Sequence, residues 1–492
     1  MTKVDFSFDN YSKLKEESAK IADFLKESED NLAIIIRAQT DNICAAGIIF
    51  SCLKQQEIGC HIIIIDNKKS LEDRIKTTKY PIYIFIGFDF KELPNEILND
   101  EKRKIIIIDH ELTIDKRVKI PWERVQILAL KSFDLASNLL ANSGLAYLLA
   151  SGFNEDHYKY AGLAILGGLA KKQIDQKNQK LVGINRIILE EGKENEILRE
   201  TTGTRIPGRE SQPIHLALEY SNNPFFPGLT GNESACTSFI SKLGISMKDQ
   251  NGNYRTISSL TSEETKRLND GLISLLMGEK GQPLTEISKL IGPIYILETE
   301  TKKNQTRNLE EYLWLLEGAL QLGKYGLALA VVLGDRKNLF DKLLRELSNY
   351  HGKATKIIQE IIQNPGITED KQFYRFIRNQ DFFELGSAPL VIKALVESNI
   401  IPIEKPLILH IKEKNENHLF VHDSPENIRK GYLSFQIFQN FRKEGILNDL
   451  TINGDIEFFH VSIKDKKIES VLEELEKALI YHQKGEESEK IN

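Results

Sequence analysis

The sequence predicts an α/β protein built on a doubly wound, mostly parallel sheet, and three observations lead there. Short, almost wholly apolar runs recur in the first quarter of the chain: LAIIIR from Leu32, HIIIID from His61, IYIFIG from Ile82 and IIIID from Ile105. Runs without polar alternation are strands buried on both faces, as in a parallel sheet covered by helices. Helical patterns alternate with them or follow them, at 11–29, 43–53, 135–152 and 158–172. The strand-like runs end in charged or polar residues, and open α/β sheets place ligands off the carboxyl ends of their strands.

The elements divide into an α/β domain over 1–195, a mostly helical middle insertion over 196–395, a small α/β domain over 396–485 and a charged tail over 486–492. The middle segment opens on a loop-rich stretch punctuated by Pro207, Gly208, Pro213, Pro224, Pro227, Gly228 and Gly231. Apolar spacing of three and four then predicts helices at 262–276, 309–322 and 339–364. Strands are expected again at 406–411 and 456–463. Ile468, Val471, Leu472, Leu475 and Leu479 form the apolar stripe of a last helix.

The 492 residues are 41% hydrophobic and 28% charged, with a formal net charge of −6. That balance provides for several cores and argues against a strong sequence-independent DNA binder, which usually carries a basic field, while leaving room for local basic patches. No run reaches the ~20 apolar residues of a membrane span, and residues 1–6 are polar, so a cytoplasmic location is expected. Cys44, Cys52, Cys60 and Cys236 form no Cys-x-x-Cys pair and are expected as reduced thiols. Abundant Ile, Lys and Glu with only 3 Met fit a thermophile.

The most informative stretch is Lys104-Ile105-Ile106-Ile107-Ile108-Asp109-His110-Glu111. An acid, an imidazole and a second acid at a strand end read as one corner of a metal site. A two-metal phosphodiesterase needs about five or six such ligands around two Mn²⁺ or Mg²⁺ ions, ~3.5–4 Å apart. These residues resemble the DHH phosphoesterase superfamily, and most closely its archaeal RecJ-like branch. The family's His-x-Asp-x-Asp-Gly motif stands here as Arg37-Ala38-Gln39-Thr40-Asp41-Asn42. Its strand followed by Asp-x-Gly is Ile86-Gly87-Phe88-Asp89, and its Asp-His-His is Asp109-His110-Glu111. Its fourth motif, a Gly-rich helix ending in aspartate, is Leu166-Gly167-Gly168-Leu169-Ala170 followed by Lys171. The family's C-terminal Gly-Gly-Gly-His has its counterpart at Asn453-Gly454-Asp455. The middle segment resembles the RecJ-like branch more specifically, through Pro213 to Tyr220, Asn223 to Glu233, Leu290 to Tyr295 and Arg307 to Tyr312.

By this resemblance Arg37, Gln39, Asp41, Gly87, Asp89, Asp109, His110, Glu111 and Lys171 mark a vestigial site. Arg37 and Lys171 put positive charge where dications would sit. The resemblance therefore implies a protein without nuclease activity and without a metal cofactor. It would be akin to the DHH-family subunit of the CMG helicase, bridging the GINS complex and the MCM helicase and binding single-stranded DNA. Arg37 and Lys171 are candidate phosphate contacts. So are Lys371, Arg375 and Arg378, in a stretch where basic and aromatic residues interleave; the same stretch also reads as an amphipathic helix. The alternative is a weak Mn- or Mg-dependent, single-strand-specific 5′-to-3′ exonuclease or phosphoesterase using Asp41, Asp109, His110 and Asp89. Trp122 and Trp314 are expected as core or interface anchors, His215 as a structural hydrogen-bond partner and Asn232 as a helix cap. Gly144 suits close packing or approach to a phosphate.

Overall fold

The structure, a computed structural model, describes residues 6–66, 68–114, 117, 119–221, 224–278, 287–397, 400–402, 404–447, 450–454, 456–464 and 468–489. The chain divides into two compact units. One comprises Met1–Ile214, Lys248–Thr265 and Ser288–Leu347; the other comprises His215–Met247, Lys266–Ile287 and Ser348–Asn492. The segment 196–395 is thus shared between the two units.

The first unit holds a five-stranded sheet of β1 (Leu32–Arg37), β2 (Cys60–Ile65), β3 (Ile82–Ile86), β4 (Lys104–Ile108) and β5 (Val125–Leu128). Its order is β2-β1-β3-β4-β5 and every pairing is parallel. The isoleucine runs alternate between the two faces, because successive side chains of a strand point opposite ways. Ile34, Ile36, Ile106 and Ile108 join the core beneath helices Phe8–Lys26, Thr40–Gln55 and Asn142–Phe153. Ala33, Ile35, Ile105 and Ile107 join a second core with Leu71, Ile75 and Ile97. Two buried faces explain why the strands carry no polar alternation. Order reverses between β1 and β3, and a doubly wound sheet opens its ligand crevice at the carboxyl ends flanking such a switch point. An antiparallel ribbon of β6 (Leu198–Thr204) and β7 (Ile291–Leu297) also belongs to this unit.

The second unit holds a six-stranded sheet of β8 (Thr368–Asp370), β9 (Arg375–Ile377), β10 (Leu407–Glu413), β11 (Glu416–His422), β12 (Leu450–Gly454) and β13 (Phe458–Lys464). Its order is β12-β13-β11-β10-β9-β8, antiparallel except for β9 against β10. One face packs on helices Ser434–Lys443 and Ile468–Glu489, through Phe438, Phe441, Val471 and Leu475. The other packs on Ala354, Ile358, Val391 and Leu395.

Three expectations need correcting. The stretch 371–378 is not a helix: β9 runs alongside β10, with Phe376 on one face and Ile377 on the other. The middle segment is helical for much of its length but contributes four strands, β6 to β9. Trp122, expected as a core or interface anchor, is 57% exposed, which removes the core reading alone. The four cysteines are unpaired, three of them buried and Cys60 half-buried. Among the described residues no helix is long and apolar enough to cross a membrane.

Candidate functional site

The site lies in the first unit, at the carboxyl ends of β1, β3 and β4. β1 ends at Arg37, and the chain turns through Ala38 and Gln39 into helix Thr40–Gln55. Asp41, in the first turn of that helix, is 1% exposed. Its two carboxylate oxygens accept the backbone N–H groups of Asn142 at 2.9 Å and Ser143 at 2.8 Å. These are the first residues of helix Asn142–Phe153, whose opening amides have no partner within the helix. The carboxylate occupies the positive end of that helix, where an anion is favoured. Both oxygens of the one aspartate kept from the first motif are therefore committed to the backbone.

Asn142 joins the other fragments. Its Oδ1 accepts the backbone N–H of His110 at 2.7 Å and lies 3.0 Å from His110 Nδ1. Its Nδ2 donates to Asn42 Oδ1 at 2.9 Å. The other ring nitrogen of His110, Nε2, faces Glu111 Oε1 at 3.3 Å. Each nitrogen of this buried imidazole thus meets an oxygen of the protein. Asp109 Oδ1 accepts the backbone N–H groups of Glu111 and Leu112 at 2.7 and 2.9 Å, a local turn. Burial raises the Asp109 pKa above the usual carboxylate value.

Two of the remaining positions, 37 and 171, carry positive charge. Arg37 Nε donates to the Gly87 carbonyl at 2.6 Å, its Nη2 pairs with Glu92 Oε1 at 2.5 Å, and its guanidinium lies 4.6 Å from the Phe88 ring centroid. Lys171 Nζ donates to Gln39 Oε1 at 3.4 Å and lies 4.0 Å from Glu111 Oε1. Asp89 caps the short turn Phe90–Glu92, with its Oδ1 accepting Lys91 N–H at 2.9 Å and Glu92 Oε2 accepting its own N–H at 2.9 Å. Two glycines permit this packing. A Cβ on Gly87, where φ is +77°, would fall 2.4 Å from Asn42 Nδ2. A Cβ on Gly167 would fall 1.9 Å from Ser143 Oγ and 2.3 Å from Asp41 Oδ1.

Residues 206–291 match the DHH-CID domain family. In fold the chain is similar to CDC45 from Entamoeba histolytica, with a TM-score of 0.62 over 96% of this chain and 98% of that one, at 11% identity. The chain has the RecJ-like DHH fold and carries a DHH-CID domain. A manganese-bound exonuclease RecJ shares the fold, with a TM-score of 0.51 over 95% of this chain and 94% of that one, at 11% identity. No curated protein matches the sequence.

The residues present do not fit the two-metal centre of a DHH phosphoesterase. Among the described residues no three His, Cys, Asp or Glu side chains converge as ligands for an ion. Asp41 and His110 are turned into the protein's own hydrogen-bond network, while Arg37 opens the first motif and Lys171 ends the fourth. All four motif fragments are nevertheless brought together, as the RecJ-like resemblance implies. Sequence reasoning missed Asn142, Ser143 and Glu92. Nothing local marks Asn142, which acts on His110 from 32 residues away.

In the second unit the basic candidates are held by carboxylates. Lys371 pairs with Glu369 at 2.9 Å, Arg378 with Glu369 at 2.7 Å and Glu469 at 3.2 Å, and Arg375 with Glu404 at 3.4 Å. Phe373, Tyr374 and Phe376 are buried, so this stretch presents no aromatic platform for stacking bases. Asp455 lies outside the described residues. Asn232 caps helix Glu233–Lys242 through Ala235 N–H at 3.0 Å, as expected, and buried His215 lies 3.6 Å from Glu233 Oε1. Gly144 is explained by packing, since a Cβ there would fall 2.1 Å from Leu140 Cδ1.

Proposed function

We propose that this chain is a non-catalytic, RecJ-like replication factor that bridges the GINS complex and the MCM helicase in an archaeal CMG-type assembly. The observation that carries the reading is the network around Asn142. It commits Asp41 and His110 to protein partners, while Arg37 and Lys171 bring cations to the same strand ends. A site so arranged gives up the donors a pair of dications needs and keeps groups that attract phosphate. In this reading Arg37 and Lys171 contact the backbone of single-stranded DNA directly, a role that fixes position without reading sequence. The full-length likeness in fold to CDC45 supports the assignment over that of a small phosphoesterase. The net charge of −6 suits a protein–protein bridge better than an enzyme that tracks along DNA.

The test is co-purification of the tagged chain from its native extract. The proposal expects GINS and MCM subunits in stoichiometric amounts and no manganese retained on the purified chain. Recovery without either partner, or with bound manganese and digestion of single strands, overturns it.

A further inference from the structure

A polar cavity lies in the first unit, lined by residues well apart in sequence from the strand ends described above. It has a volume of about 390 Å³. Its floor is one face of the β6–β7 ribbon. Arg199 and Ile296 are directly opposed there and Thr201 follows two residues on, so the three share that face. One wall is the turn carrying Arg209, tied to a hydroxyl-rich turn by the hydrogen bond from Ser258 N–H to the Arg209 carbonyl at 3.1 Å. The opposite wall carries Lys302, Lys303 and Arg307.

The lining is chemically one-sided. Arg199, Arg209, Lys302, Lys303 and Arg307 supply five cations, and Glu210 is its one carboxylate. Glu298, outside the lining, is shared between Arg199 and Arg307. Arg307 and Arg209 are the least exposed of the five, with side chains 9% and 12% exposed. In Arg209 the guanidinium is only partly satisfied. Its Nη1 donates to the Thr204 carbonyl at 3.3 Å, and its Nε makes no hydrogen bond, although Glu210 Oε1 lies 3.4 Å away. Burial disfavours its charge. Converging cations in a partly enclosed space repel one another and await an anion, and the side-chain hydroxyls of Thr201, Thr256 and Ser258 add donors of the kind that hold oxyanions. The only large apolar side chain in the lining is Ile296, so the cavity is not built to seat an aromatic base or a lipid chain.

We infer that this cavity is a binding site for a phosphoryl group, held by the half-buried Arg209 and by the exposed Arg199, Lys302 and Lys303. The inference is independent of the replication role. Either a free phosphate ester or a phosphorylated side chain of a partner presents the required chemistry.

The experiment is isothermal titration of the full chain carrying Arg37→Ala and Lys171→Ala, so that the strand-end cleft contributes no phosphate contact. Pyrophosphate is the first probe, followed by a phosphoserine peptide and its unphosphorylated twin. The expected result is saturable binding of pyrophosphate at one site. Adding Lys302→Glu and Lys303→Glu, both exposed and remote from any core, should weaken it at least tenfold without changing the circular dichroism. A phosphopeptide that outcompetes pyrophosphate would assign the site to a modified partner, and equal or weaker binding would assign it to a free phosphate ester. No binding of any phosphate, binding untouched by the two glutamates, or equal displacement by chloride overturns the inference.

Discussion

The carboxylate of Asp41 accepts the backbone N–H groups of both Asn142 and Ser143, joining the turn after the first strand to the start of a helix 101 residues later. In the DHH motif this aspartate would be read as a metal ligand, but here it serves as a buried helix cap. Asp41→Ala should accordingly cost stability, about 1–3 kcal/mol for stranding two buried donors. Urea denaturation of the variant against the parent measures it, and a loss below a few tenths of a kcal/mol would deny Asp41 its structural role.

Gly167 and Gly326 make a controlled pair. A Cβ on Gly167 would overlap Ser143 Oγ and Asp41 Oδ1, whereas one on Gly326, in helix Tyr325–Val332, meets nothing within 4 Å. Gly167→Ala should destabilise by about 1–3 kcal/mol through overpacking. Gly326→Ala should be neutral or stabilise by up to about 1 kcal/mol, because alanine is the better helix former. Similar thermal shifts for the two would contradict the packing described around Asp41.

The replacements at positions 42 and 87 are coupled. The DHH motifs have glycine at the first and aspartate at the second, and here Asn42 occupies the space that a side chain at 87 would need. Restoring aspartate alone by Gly87→Asp should therefore destabilise by roughly 2–3 kcal/mol, adding a clash to a positive φ. Adding Asn42→Gly should recover 0.5 kcal/mol or more of that, roughly the lower bound for side chains in contact. A double-mutant cycle reads the coupling directly, and additive effects would show that the two sites changed independently.

Stability should fall as pH rises through neutrality. Burial lifts the Glu311 carboxyl from 4.5 to about 8, and in the other unit burial lifts Asp423 from 3.8 to about 7. Across those windows the folded chain keeps protons that the unfolded chain releases. Each group's contribution is thus intact below the unfolded pKa and declines up to the folded one, by at most about 1.4 kcal/mol per pH unit. Glu311→Gln should flatten the decline between pH 5 and pH 8 in denaturant titrations. An unchanged slope would mean that Glu311 is ionised throughout that range, held by the Glu210 N–H and Ser211 hydroxyl that meet it at 2.6 Å.

How much was legible follows from which forces act locally. The isoleucine runs announced β1, β3 and β4 because two-sided burial leaves no polar positions, and Asp109-His110-Glu111 stood where a strand end had to be. Asn142 stayed hidden because its role depends on a helix start brought beside β4 by the sheet, a relation no spacing encodes. The stretch at 371–378 misled because Phe373, Phe376 and Ile377 fit a helical stripe as well as they fit a strand buried on both faces. A neighbouring strand, β10, decided between the two.

A strand-end site whose Asp41 and His110 serve protein partners should do no phosphoester chemistry. The most direct test is incubation of the purified chain with 3′-labelled single-stranded DNA in Mn²⁺, alongside the Asp109→Ala variant. Full-length DNA is expected in both lanes at protein excess. Progressive shortening from the 5′ end by the parent, abolished by Asp109→Ala, would contradict it.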